Sequence, residues 1–412
     1  MPSPSASPEE IAAIVADEAV GPRTGVTLHL VDDEGVLLDT ASQKLYRLNT
    51  TAAFIWCCIE DRLSRAESVA RLGRAFGTTG RDAESYVAAA VDGWSALGLL
   101  AGNGAPLADA LSSPEPKDGA PAAIAAPFIP VIEKYYRLLD TDFRLRFASS
   151  ATAADMHRFL APLAERRPDE RDLVTIDVRE SGARRALYHG DRIIERWAAP
   201  DELVPVAKIA LVTFALERSQ DFGALHAGAV SRRGDGPCVV IAGVSGAGKS
   251  TLVAGLATSG FTSLGDDTIV LARDPLAVRA IPFGICLKDG AWDLLSGRIP
   301  GLSEQPVHQR LDGKRVRYFV PHGMPAPLGR AVRNPAVAVV FPNRTTGGSG
   351  HLVRISHADA LTRIASEFCP LGGQLDVDKV ERLIQWVGSM KCYELRYSTL
   401  DQGIKAIGEL CP

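Results

Sequence analysis

Lys249 and Ser250 lie near the end of the run VVIAGVSGAGKSTL, Val239–Leu252, in which Gly243, Gly248, Lys249 and Ser250 fit the spacing G-x-x-x-x-G-K-[ST]. Residues of these types at this spacing bind phosphate. The glycines let backbone N–H groups turn inward onto phosphate oxygens, and the N-terminus of the following helix adds a favourable partial charge. Gly243, Val244, Ser245, Gly246, Ala247, Gly248, Lys249, Ser250 and Thr251 are therefore the expected nucleotide-binding residues. Lys249 is expected to reach the β- and γ-phosphates and Ser250 to ligate Mg²⁺. The flanks agree: Cys238–Ala242 is apolar and β-branched like a buried strand, and Thr251–Thr258 reads as a helix of small and apolar residues. Strand, glycine loop and helix together separate a phosphate site from a chance match in a chain with 38 glycines.

Such a loop needs a carboxylate for its metal, and phosphoryl transfer to a hydroxyl needs a group that accepts the proton. SLGDDTIVL supplies two adjacent acids, Asp266 and Asp267, 17 and 18 residues after Lys249. At a strand end the backbone can turn both toward one site. One Asp could hold Mg²⁺ while the other accepts the hydroxyl proton; residue types leave the order open, and the split taken is Asp266 as base and Asp267 as metal ligand. The alternative is an ordinary acidic turn, which Asp favours.

The elements that must position these groups follow from patterning. At 412 residues, two or more domains are expected. Apolar content of 46% and charged content of 23% are those of a globular protein, and a net charge of −4 gives no general reason to bind nucleic acid or an anionic membrane. The N-terminus lacks a basic start and an apolar core, and no run approaches the roughly 20 apolar residues of a membrane span. Seven cysteines without a C-x-x-C pair argue against zinc; several sit in apolar runs, as reduced thiols of a cytoplasmic protein would. Residues 102–124, rich in Pro, Gly, Ala and Ser, read as a flexible linker, and 1–21 as a disordered or accessory N-terminus. Between them, 22–101 holds three strand-like runs with turns at 32–35 and 40–43, then three helices. The first is capped by Asn49 or Thr50, and the second carries a Ser64/Glu67 capping box. The third is expected to bury Tyr86, Val87, Ala90, Val91, Trp94 and Leu97. In 125–412, strands are expected at 172–178, 238–243, 268–272 and 336–341, and helices at 201–219, 249–259, 356–368 and 376–390. The fold class is α/β (α+β overall): a small winged-helix-like domain, then a larger P-loop kinase domain with a mixed sheet.

LHAGAV, VVIAGVSGAGKSTL and FTSLGDDTIVL together resemble the HPr kinase family, whose fold is P-loop and phosphoenolpyruvate-carboxykinase-like. The resemblance extends more loosely over about 126–410. It implies that Asp266–Asp267 act as catalytic base and metal ligand, and that His226, in LHAG, lies near the phosphates. Lys288, in IPFGICLKDGAW, stands where the relatives bring a lysine to the phosphates; a surface lysine is the alternative. Arg315 and Arg317 are further phosphate-clamp candidates, with a solvated strand as the alternative. The Glu-x-Arg-Gly signature of the bifunctional HPr kinase/phosphorylases is missing, which points to an acceptor other than HPr.

GVLLDTASQKLYRLNTTAAFIW and the closing LGLL resemble the PqqD-like family over about 22–101. The resemblance implies a domain that binds the leader of a ribosomally made precursor peptide. The leader adds as a strand at the edge of the third strand, near 44–48, and packs on the third helix, near 81–99. The combined expectation is an ATP- and Mg²⁺-dependent kinase that phosphorylates a Ser or Thr hydroxyl of such a precursor, a lasso peptide or similar. Other maturation enzymes are possible partners. Homo-oligomerisation stays open, since the hexamers of HPr kinases do not transfer safely to a chain with an added domain. The alternatives are a nucleotide-gated scaffold that transfers nothing, a protein Ser kinase of the HPr kinase type, and a winged-helix DNA binder. Residues 21–100 hold eight Lys/Arg against ten Asp/Glu, the wrong balance for the last.

Overall fold

The computed structural model describes residues 20–101, 128–167, 172–321 and 332–411. The expected linker and most of the expected N-terminal accessory segment lie outside them. The fold is mixed α/β and divides into two compact units.

The first unit opens with a three-stranded antiparallel sheet, β1 (Val26–Val31), β2 (Glu34–Asp39) and β3 (Lys44–Leu48), in that order. Helices α1 (Thr50–Glu60), α2 (Arg65–Phe76) and α3 (Gly80–Ala96) follow. The local signals act as the residue types dictate. Asn49 caps α1 by accepting from the N–H of Ala52, and Ser64 and Glu67 form the capping box of α2. Gly77 closes α2 in the left-handed conformation, at φ 64°. Trp56 of α1 meets Trp94 of α3 edge to face, with centroids 5.0 Å apart, in a core with Leu37, Leu48, Leu72 and Val87. Such a pair adds about 0.5–1.5 kcal/mol beyond the area it buries.

Two details depart from the sequence reading. On α3 the buried stripe is Ala83, Val87 and Trp94, whereas Tyr86 and Leu97 are each 50% exposed. At 100° per residue both fall on one flank of that stripe, so the expected face was rotated too far toward them. The second departure concerns β2. Val36 and Leu38 point away from Leu37, yet all three are fully buried. Their face is covered from far down the chain: segments Ser356–Ser366 and Gln374–Gln385 belong to this first unit, not with the rest of 125–412. Helix His357–Ala365 packs on β2 and β3. Ser356 donates to Glu34, Arg47 pairs with Glu34 and lies 3.7 Å from Asp359, and His357 Nδ1 lies 2.7 Å from Asp32. Gln43 exchanges two hydrogen bonds with the backbone of Leu375, 2.6 and 3.1 Å long.

The second unit is built on two larger sheets. Strands Ile132–Leu138, Thr141–Phe147, Val174–Ser181, Arg184–His189 and Arg192–Ala198 form one of five strands. Helix α4 (Leu203–Glu217) is buried on several sides, which its nearly uniform apolar sequence permits. It packs within the core of that sheet, where Phe283 and Tyr318 also sit. The other sheet is mixed and six-stranded. Its centre holds β4 (Ala227–Ser231) and β5 (Cys238–Ala242), antiparallel to each other, with Ala336–Arg344 running parallel to β5. Helix α5 (Lys249–Thr258) follows β5 after the glycine loop. Strands Thr262–Gly265 and Ile269–Leu271 flank the bend that carries Asp266 and Asp267.

Candidate functional site

The glycine loop leaves the end of β5 and enters α5 through Gly248. Gly248 is the N-cap of α5 at φ 93°, and a Cβ there would stand 2.8 Å from the Tyr397 hydroxyl. Only glycine fits both the backbone and the space. Lys249 is buried and turns its ammonium back into the loop, donating to the carbonyls of Gly243 and Val244. Burial holds its pKa below the usual lysine value.

A cavity of about 100 Å³ opens at this loop. Its wall brings together Ser245, Gly246, Gly248, Lys249, Ser250 and Thr251 with His226, Asp267 and Lys288. These residues span more than sixty positions of sequence. Lys288 Nζ lies 3.3 Å from Ser245 Oγ. Of the other residues singled out in the sequence, Gly243 and Val244 act through their carbonyls, whereas Val244 points its side chain to solvent. Arg315 and Arg317 serve elsewhere. Arg317 stacks 4.1 Å over Trp292 and donates to the carbonyls of Ser303 and Gln305, and Arg315 lies 5.5 Å from the same ring.

The two adjacent acids differ sharply. Asp266 is buried and accepts the N–H of Cys286 at 2.9 Å, and the Ser250 side chain interacts with its carboxylate. Burial, reinforced by the neighbouring Asp267 charge, raises its pKa. Asp267 lines the cavity with 30% of its side chain exposed, between His226 Nδ1 at 3.4 Å and Lys208 Nζ at 3.2 Å. Burial would raise its pKa, but the Lys208 and His226 charges outweigh that and hold it below the usual carboxylate value. Lys208 itself stays charged, because the two carboxylates more than offset its burial.

Lys208, Cys286 and Arg310 were not read from the sequence. Lys208 had a signal: it is the one charged residue between Glu202 and Glu217 in a buried apolar helix, a place where lysine needs a partner. Arg310 lies among several charged residues in QRLDGKRVR and had none. As chemistry, the set offers cations and loop N–H groups for phosphate, two oxygen donors side by side at Ser250 and Asp266, and an ionised carboxylate at Asp267. Among the described residues, no cluster of three or more His, Cys, Asp or Glu could hold a metal by itself. A hard cation that binds through one or two protein oxygens plus phosphate oxygens fits this donor set.

In the first unit, β3 pairs with β2 on one side, and among the described residues no strand pairs with its outer edge. Among the described residues, no helix is long and apolar enough to cross a membrane. No disulfide joins any of the seven cysteines.

No curated protein matches the chain. A solved structure described as TbiB1 in complex with the TbiA(beta) leader peptide is similar over 21% of this chain and 99% of its own, at 20% identity and a TM-score of 0.20. The family model for coenzyme PQQ synthesis protein D (PqqD) matches residues 34–100, from β2 to the end of the helical segment, and the chain thus carries a PqqD domain there.

Proposed function

We propose that this chain is an ATP-dependent kinase that phosphorylates a Ser or Thr hydroxyl of a ribosomally synthesised precursor peptide, recruited by its leader through the PqqD domain. The observation that carries this reading is the single cavity in which Lys249, Ser250, His226, Asp267 and Lys288 meet the glycine loop. A leader-binding unit alone would need none of them.

Lys249 and Lys288 bind the phosphates, and the loop N–H groups orient them. Ser250, with Asp266 beside it, would hold Mg²⁺, which would supply neutralisation of the phosphate charge. Asp267 takes the proton from the acceptor hydroxyl as its oxygen bonds to the γ-phosphorus and the bond to the departing ADP oxygen breaks. This reverses the split of roles drawn from the sequence. Asp266 is the carboxylate beside Ser250, and Asp267 is the one that is ionised, open to the cavity and steered by Lys208 and His226. The leader would add as a strand along the outer edge of β3, where backbone bonds give affinity and side-chain pockets give selectivity.

The test is the full chain with Mg-ATP and a precursor encoded beside its gene. One phosphoryl group should appear on the peptide by mass spectrometry. A precursor that binds but gains no mass under any metal or nucleotide condition would overturn the kinase reading in favour of a nucleotide-gated scaffold.

A further inference from the structure

A second cavity, of about 300 Å³, lies behind Asp267. It shares Asp267, Cys286 and Arg310 with the glycine-loop cavity. The rest of its wall is mainly apolar: Pro205, Ile209 and Val212 from α4 face Leu311 and Tyr318. Ile209 is 53% exposed and Leu311 43% exposed, and on one wall they form an open apolar patch rather than isolated surface residues. The charged groups on the wall are matched among themselves. Lys208 pairs with Asp267, and Arg310 Nε lies 3.2 Å from Asp312. Two cations against two acids leave no net charge to attract an ionic occupant.

We propose that this cavity is the acceptor subsite, and that it takes an uncharged, apolar side chain next to the phosphorylated hydroxyl of the peptide. The assignment rests on the kinase reading and names what that site selects. In-line transfer sets the attacking and leaving oxygens on opposite sides of the phosphorus. With the nucleotide phosphates on the glycine loop, the hydroxyl must reach Asp267 from another side. Asp267 forms part of both walls, so a peptide entering over Ile209 and Leu311 brings its hydroxyl to the carboxylate while a neighbouring side chain fills the apolar pocket.

The probes are acetylated Ser pentapeptides with Leu or Asp on either side of the Ser, offered to the full chain with radiolabelled Mg-ATP. The Leu peptides should be labelled on the order of 10-fold or more better in kcat/KM, the discrimination one apolar contact supplies. Ile209→Glu and, independently, Leu311→Glu should erase that preference while KM for ATP stays unchanged, and Ile209→Val should retain it. Equal labelling of Leu and Asp peptides by the wild-type chain, or an intact preference in both Glu variants, overturns the subsite and leaves the kinase standing. No label in any pentapeptide while the full precursor is labelled under the same conditions overturns the subsite and leaves the kinase standing, and no label in either overturns both.

Discussion

At Asp266 and Asp267, one step along the backbone separates a carboxylate that accepts the Cys286 N–H beside Ser250 from one that faces a cavity between His226 and Lys208. The proposed roles make distinct predictions. Asp267→Asn should retain nucleotide binding and lower transfer by a factor on the order of 10²–10⁴, the usual loss for a general base. Asp266→Asn should instead raise the Mg²⁺ concentration needed for half-maximal rate. Single-turnover rates with a parallel nucleotide titration separate the two, and swapped phenotypes would restore the assignment read from the sequence. Lys249→Ala should weaken nucleotide binding itself, which the same titration reads directly.

At the scale of elements, the three-stranded sheet of the first unit carries two predictions. Asp39, at the end of β2, is buried and accepts from Arg23 at 2.6 Å, the Ser42 hydroxyl at 2.7 Å and the Ala41 N–H at 3.1 Å. Burial would raise its pKa, but these three donors outweigh it and hold the value below the ordinary 3.8. A depressed carboxylate stabilises the fold fully above its unfolded value and loses that contribution as pH falls through the folded one. Asp39→Asn should therefore cost about 1–3 kcal/mol at pH 7, seen as a lower Tm. The gap to wild type should stay constant down to about pH 5 and narrow only below 3.8. A gap that is already closed at pH 5 would show that the charge is not what the donors hold. The other prediction concerns β3. Added precursor should slow hydrogen exchange at backbone amides within Lys44–Leu48 while those of β1 stay unaffected. Protection confined to any other element would place the leader elsewhere.

For the whole molecule, the segments Ser356–Ser366 and Gln374–Gln385 change how the N-terminal domain can be tested. Removing residues 1–101 looks, from the sequence, like the removal of a module on a flexible tether. In the structure it would strip β2 and β3 from helix His357–Ala365 and leave the buried Leu361 and Ile364 without cover. The truncated chain should aggregate or unfold at a lower temperature than the full chain, by light scattering and calorimetry. A truncated chain as stable and monodisperse as the full one would show that these helices do not need the sheet. Substrate recruitment is accordingly tested by substitutions in the intact chain rather than by deletion.

The sequence by itself determined what depends on neighbours along the chain. The caps at Asn49 and Ser64 and the strand and helix around the glycine loop were legible, because each rests on a handful of consecutive residues. Helices expected at 201–219 and 249–259 appear as Leu203–Glu217 and Lys249–Thr258 for the same reason. Three things were decided only by tertiary structure. The direction of two adjacent carboxylates depends on the bend after Gly265, the end of a strand whose register against β4 shifts at Ala229 and Val230, and residue types do not record that bend. The arrival of Lys208 and Arg310 at Asp267 depends on how α4 and a distant loop pack. The second apolar face of β2 was visible as the run Val36–Leu38, but its cover comes from more than 300 residues away, a distance at which the chain's pattern carries no information about contact.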